Sequence, residues 1–249
     1  MEKLELMPKD FFAFKQFSIY QPYADVMKVS TDSVLLGCFA NVENLNQGNA
    51  LDIGCGTGLL CLMLAQKNKN LKITGIDINP NACQCAQYNV NHSIFYQQIE
   101  IMNISLKNFL DKSNLFYDII ISNPPYFSDS LKSQKLGKNT YRHQQEMTYE
   151  ELLKGVKILL KKDGVFYVVI PYYEEKKFLS LVNEYNLFIH RKLTVWAHPK
   201  KQYPHIFIYS LQKYSSEYIN TQKLYIYNDQ FRYTEEYLNF TKDFYLFVK

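Results

Sequence analysis

Apolar residues along this chain follow two rhythms. Short, nearly unbroken apolar runs at 50–53, 72–77, 99–103, 116–122 and 165–170 read as buried strands. Between them lie stretches with helix signals. Thr31-Asp32-Ser33 stands as a cap ahead of Val34, Leu35, Leu36, Cys38 and Phe39, and Asn79-Pro80 gives a cap followed by proline at the first helical position. Thr148 and Glu151 form a capping-box pair. Behind them Leu152, Leu153, Val156, Leu159 and Leu160 share one face, and Gly164 is expected to end that helix. A charged helix near 174–185 then leads to strands near 188–196 and 205–211, and residues 224–233 read as two short strands about Asn228-Asp229. Strands alternating with helices predict an α/β fold with a largely parallel sheet.

Composition narrows the class. The chain has 249 residues, 47% of them hydrophobic and 21% charged, which suits one globular domain with a sizeable core. We expect a single domain over 1–249, with an N-terminal extension over 1–30 and a C-terminal hairpin or tail from about 218 to 249. No apolar run approaches a membrane span, and the start lacks the plan of a secretory signal, so a cytoplasmic location and no membrane partner are expected. The five cysteines, Cys38, Cys55, Cys61, Cys83 and Cys85, match no zinc spacing. They are expected to be small buried apolar residues, with no metal and no disulfide framework. A formal charge of +4 permits nucleic-acid binding without demanding it. The 21 tyrosines can supply stacking surfaces, although biased genome composition explains most of them as well.

Chemistry concentrates at two junctions. The first is Asp52-Ile53-Gly54-Cys55-Gly56-Thr57-Gly58, where a strand runs into a glycine-rich turn and a helix begins near Gly58. Glycines allow positive φ and close approach of backbone to a ligand. Alone, the pattern is weak and also serves NAD sites. The following strand ends at Asp77, 25 residues beyond Asp52, where a carboxylate can accept hydrogen bonds from both hydroxyls of a ribose. No Lys-Ser or Lys-Thr follows the loop, which argues against a phosphate loop.

The second junction is Asn123-Pro124-Pro125-Tyr126, at the end of the run Tyr117-Asp118-Ile119-Ile120-Ile121-Ser122. The prolines stop the strand and fix the backbone beyond it. The Asn123 side-chain oxygen and the Pro124 carbonyl are two acceptors at the carboxyl end of a central strand, where open α/β sheets bind ligands. They suit a planar group carrying an NH₂, with the Tyr126 ring over its flat face. For the tetrapeptide alone, a strand ending in a rigid Pro-Pro turn is the better account.

Asn-Pro-Pro-Tyr resembles the motif of methyltransferases that act on amino or amide nitrogens of adenine, cytosine or glutamine. With the glycine loop, it implies a class I, Rossmann-like fold: a mostly parallel seven-stranded sheet with an antiparallel edge, using S-adenosylmethionine. In that reading Asp52 offers a carboxylate toward the cationic donor, and Gly54, Gly56, Gly58, Asp77 and Asn123 line its site. Three further stretches resemble the bacterial valine-tRNA adenine-N(6)-methyltransferase family. They are Phe14-Lys15-Gln16-Phe17 with the segment 27–37, Tyr141-Arg142-His143, and Arg232-Tyr233-Thr234 with Asp243-Phe244-Tyr245-Leu246-Phe247.

The family resemblance implies methylation of the exocyclic N(6) amine of the adenosine 3′ of the anticodon in a valine tRNA. It places Lys28 and Thr31 near the cofactor, though Thr31 serves equally well as a helix cap. Many relatives carry an Asp where this chain has Ser105, whose hydroxyl hydrogen-bonds without charge. Asn123, Pro124 and Tyr126 would be catalytic. Pro125, Tyr126 and Phe127 would hold the adenine, with Phe127 equally suited to the core. Arg142, His143 and Lys15 would contact RNA, together with Arg191 and Lys200-Lys201, although a solvated loop or a structural role also accounts for several of these. Two alternatives remain: methylation of a protein glutamine or of another RNA or DNA adenine, and an RNA-binding module without activity. Oligomeric state is open, with a monomer as the starting expectation.

Overall fold

The computed structural model describes residues 10–125 and 147–248. The strands are β1 (Phe11–Ala13), β2 (Ser18–Tyr20), β3 (Gly48–Ile53), β4 (Leu71–Asp77), β5 (Ile99–Asn103), β6 (Tyr117–Ser122), β7 (Leu160–Pro171), β8 (Phe188–Trp196), β9 (Ile206–Gln212) and β10 (Asn220–Tyr225), of which β3 to β9 were expected and β1, β2 and β10 were not. The helices are α1 (Thr31–Phe39), α2 (Leu59–Lys67), α3 (Pro80–Asn91), α4 (Leu106–Lys112), α5 (Tyr149–Leu159), α6 (Glu175–Glu184) and α7 (Glu235–Thr241). β1 and β2 make a small antiparallel pair. The other eight strands form one sheet, in the order β10-β8-β9-β7-β6-β3-β4-β5.

Why the sheet is central is visible in its side chains. In β6, Ile119 and Ile121 point into one apolar cluster with α1, α2 and α3, while Ile120 points into the other with α5 and α6. A strand buried on both faces must be apolar throughout, as this one is. From β3 the chain winds outward through β4 to β5, then crosses back to β6 and winds the other way. The carboxyl ends of β3 and β6 are therefore neighbours whose following segments diverge. That is the crevice where open α/β sheets take ligands.

Three expectations needed correction. The sheet has eight strands, not seven: β10 pairs in parallel with β8 beyond the expected antiparallel β8–β9 pair, so the lone reversed strand β9 is interior. The hairpin expected about Asn228-Asp229 reduces to one antiparallel bridge, Tyr227 with Tyr233, because the residues before it have joined the sheet. Finally, Gly164 does not end a helix. Helix α5 stops at Leu159 and Gly164 lies inside β7. A β-carbon on Gly164 would lie 2.9 Å from the Tyr117 carbonyl oxygen and 3.1 Å from that of Asp118, so glycine there lets two backbones meet where the β6–β7 register shifts.

Other local expectations hold. Asn79 caps α3 with Pro80 at its first position, and Thr148 and Glu151 close a capping box on α5. All five cysteines are free thiols, four of them buried and Cys38 half-buried, and desolvation pushes the Cys38 thiol up to about 12. No helix among the described residues is long and apolar enough to cross a membrane.

Gly164→Ala is expected to destabilise the protein by about 1–3 kcal/mol, the usual range for forcing extra atoms into a packed site. Urea unfolding measures it. A midpoint equal to wild type would show that the close approach at β6 and β7 is not required.

Candidate active site

The glycine turn after β3 is made of three left-handed residues, Gly54 at φ 76°, Gly56 at φ 55° and Gly58 at φ 79°. Such angles are strained for residues with a β-carbon. The space beside the loop matters as much: a β-carbon at Gly54 or Gly56 would meet nothing within 4 Å, so both face an open cradle. Gly58, by contrast, packs against Ala86 of α3 and is the N-cap of α2.

Asp77, at the end of β4, ties this cradle to the next helix. Its two carboxylate oxygens accept the backbone N–H groups of Gly56 and Asn79, each at 2.9 Å. The side chain stays partly exposed. Burial raises its pKa, opposed by those N–H groups. Ile78, the next residue, is an exposed apolar side chain on the same rim, which the sequence reading did not single out.

Asp52 differs from expectation. It points not into the cradle but into the apolar layer under α2, with no exposed surface; one oxygen accepts from the Cys61 thiol at 3.3 Å and the other has no partner. Desolvation therefore pushes its pKa up to about 7. It sits beneath the loop as a buried carboxyl group rather than as a surface anion for a bound cation.

Asn123 ends β6 and is nearly buried. Its amide nitrogen donates to the Ser33 hydroxyl at 2.7 Å. That hydroxyl in turn lies 3.1 Å from Ser30 Oγ, so a directed chain runs from Asn123 to the start of α1. The amide orientation follows from this network. It leaves Asn123 Oδ1 as a buried acceptor without a partner among the described residues. Such an atom costs free energy unless something donates to it. Ser33 was read as part of a cap; its contact with a residue 90 positions away carries no local sequence signal.

The remaining site residues divide. Ser30, not Thr31, caps α1, accepting from Ser33 N. Thr31 lies in the first turn and hydrogen-bonds toward Tyr245. Lys28 is exposed, one residue beyond Met27, whose sulfur is 3.9 Å from Asn123 Nδ2. Ser105 caps α4 by accepting from Asn108 N, on the same rim as Asp77. Pro124 is buried and Pro125 half-buried. Tyr126, Phe127, Arg142 and His143 lie outside the described residues. Lys15 is not brought to the site: it is exposed near Tyr88 and His92, at the far end of α3. Arg191 is also distant, its guanidinium over the Phe39 ring beside a cleft of about 450 Å³ at the opposite edge of the sheet.

His205, a second residue that the sequence reading passed over, joins the rim to α1. Its Nε2 is 3.1 Å from Asp32 Oδ1. That hydrogen bond raises the histidine pKa above 6.5, with burial opposing. No group of three or more His, Cys, Asp or Glu among the described residues is placed to hold a metal.

A left-handed glycine cradle, a carboxylate at the end of the adjacent strand and an Asn-Pro-Pro turn across the crevice define a class I methyltransferase. The comparisons agree. Residues 30–185 match the methyltransferase small domain. A tRNA1(Val) (adenine(37)-N6)-methyltransferase of Bacteroides fragilis is 39% identical over 244 residues, covering 96% of this chain and 99% of its own. The Pseudoalteromonas translucida protein of that name is 37% identical over 239 residues, 94% of this chain and 98% of its own. Among solved structures, a protein described as a predicted O-methyltransferase from Agrobacterium tumefaciens superposes with a TM-score of 0.67 at 11% identity, over 86% of this chain and 96% of its own. A ribosomal protein L11 methylase from Lactobacillus delbrueckii gives 0.52 at 14% identity, over 81% and 98%; both speak to the fold alone.

The chain belongs to the bacterial tRNA1(Val) (adenine(37)-N6)-methyltransferase family, within the methyltransferase small-domain family. It is an S-adenosylmethionine-dependent enzyme. The donor fits what the chain presents: an open backbone cradle at Gly54 and Gly56, and a partly exposed Asp77 carboxylate with capacity for hydroxyl donors.

The His205–Asp32 pair has a definite pH signature. Because the folded-state value is raised, its stabilisation is full below the unfolded imidazole value near 6.5 and is lost as pH climbs through the folded value. In an NMR titration the His205 midpoint should fall when Asp32 is replaced by Asn. Equal midpoints in the two proteins would remove Asp32 as the cause.

Proposed function

We propose that this enzyme methylates the exocyclic N(6) amine of the adenosine 3′ of the anticodon in a valine tRNA. The observation that carries the reading is Asn123: its amide nitrogen is engaged by Ser33, so its oxygen is left as an acceptor without a partner among the described residues at the strand end. An adenine amine has two hydrogens and a lone pair delocalised into the ring, which makes it a weak nucleophile. Asn123 Oδ1 and the Pro124 carbonyl accept those hydrogens and hold the nitrogen with its lone pair turned out of the ring. S-adenosylmethionine supplies the electrophilic methyl group. As the N–C bond would form, the donor's S–C bond would break to leave a neutral thioether, and the methylated amine would release its extra proton to water. Catalysis by this chain is then orientation and fixed dipoles, with no general base required.

Asp77 takes the ribose hydroxyls of the donor, and Ile78 covers an apolar face of its base. Asp52 supports the glycine loop from below. Tyr126 stacks on an adenine withdrawn from the anticodon-loop stack, as enzymes acting on bases require. The names of the relatives support the tRNA substrate and the position; the amine chemistry is supported by the acceptors at residues 123 and 124.

Asn123→Ala should lower single-turnover methyl transfer by about 10²–10³-fold at saturating tRNA and donor, the range for losing one preorganised hydrogen-bonding group. A rate near wild type would reject amine activation by Asn123. Asp77→Ala should weaken donor binding by about 1.5–3 kcal/mol, readable by calorimetry, with the fold intact. Mass spectrometry of nucleosides from purified valine tRNA, with and without the gene, tests the substrate directly. An N(6)-methyladenosine level that is the same in both would overturn the proposed target.

A further inference from the structure

We infer that Tyr172 and Tyr203 form a stacking platform for an unpaired base that flanks the target adenosine. This rests on the tRNA reading above and adds a substrate-recognition surface to it. Tyr172 follows the end of β7, and Tyr203 lies in the loop between β8 and β9. Their rings stack at 4.9 Å with 24° between planes, yet they remain 37% and 52% exposed. Tyr172 is braced from behind by Phe207, 6.1 Å away, and its backbone N–H donates to the His205 carbonyl.

The platform lies on the rim that holds the active site. His205 bonds to Asp32, and the next residue, Ser33, holds Asn123. The donor-side groups at Gly54, Gly56 and Asp77 follow β3 and β4, whereas the tyrosines follow β7 and precede β9. Asn123, ending β6, stands between these two flanks of the sheet. A base docked on the tyrosines is thereby beside the target amine and clear of the donor.

The surrounding loop fits an RNA loop rather than a protein. Residues 197–205 contain Lys200 and Lys201, both exposed, and no acidic residue. The loop is also stiff. The Lys200 N–H donates to His198 Nδ1 and the Lys201 N–H to the His198 carbonyl, and His198 itself is buried under the Phe231 ring. Pro204 restricts the backbone of Tyr203. A rigid aromatic pair beside cations without an ion-pair partner among the described residues is the arrangement that binds bases by their faces and phosphates by charge.

The test uses unmodified valine-tRNA anticodon stem-loop and the full chain. Tyr203 is exposed, so Tyr203→Ala should fold as wild type. It is expected to weaken stem-loop binding by roughly 5- to 150-fold, with the kinetic loss in half-saturating RNA concentration and donor affinity retained. Tyr203→Phe should restore binding. An abasic nucleotide beside the target should weaken wild-type binding and leave Tyr203→Ala no weaker. Wild-type affinity in Tyr203→Ala, or fully additive losses with the abasic loop, would overturn the platform. Absence of methyl transfer to adenosine by the wild-type enzyme would instead overturn the proposed reaction, and the binding comparison reads the platform separately from it.

Discussion

The hydrogen bond from Asn123 to Ser33 is the constraint around which the active face is organised. Two prolines end β6 directly after Asn123 and confine its backbone, while Ser33 fixes the side chain at 2.7 Å. The same bond locates α1, whose first turn also carries Asp32 and through it His205. On the other side of α1, Met27 reaches the asparagine at the end of a long approach. That approach is held along α3 by Tyr20 with Asn89, Tyr23 with Gln84, and Asp25 with Asn79 and Asn81. One amide nitrogen therefore settles the arrangement of three separate segments, and what it leaves free is an oxygen.

Electrostatics at the donor side follow from burial. Asp52 and Asp77 both have raised pKa values, chiefly because desolvation disfavours their charged forms. Asp77 recovers part of that cost from the backbone N–H groups of Gly56 and Asn79, whereas Asp52 draws on Cys61 alone, through its thiol and its backbone. The two carboxylates of the motif thus do different things. Asp77 sits at the rim with capacity to accept, and Asp52 is sealed inside, one layer below the glycines.

Much of the fold was legible because its strands are buried on both faces and its helices carry explicit caps. Asn79-Pro80, Thr148 with Glu151, and the glycine turn after β3 all speak through local stereochemistry. What was missed depends on partners distant in sequence. β10 is polar along most of its length, and its pairing comes from β8 rather than from its own pattern. Gly164 resembled a helix stop, but its need is the proximity of two carbonyl groups on another strand. In the site, Asp52 was expected to offer its carboxylate toward the donor, because spacing cannot tell which face of a strand a residue occupies once both faces are covered. Ser33 and His205 were invisible for a related reason: each acts through a single contact spanning a large part of the chain.

The segment that delivers Met27 to Asn123 begins at residues tied to the opposite end of the described chain. Phe14 bridges Tyr245, the Lys15 N–H donates to the Phe244 carbonyl, and Gln66 donates to the Asp243 carbonyl. During synthesis, β3 to β6 can assemble as soon as they emerge and Tyr20 can dock on Asn89 of α3, but Phe14 and Lys15 lack their partners until residues 244–245 exist. Loop-closure cost grows only with the logarithm of length, so this late seam is thermodynamically modest, yet it comes last in time. A nascent chain can hold its sheet, its glycine cradle and the approach along α3 while the strap at Phe14 and Lys15 still lacks its partners, so the seam with residues 243–245 closes over a face already laid out.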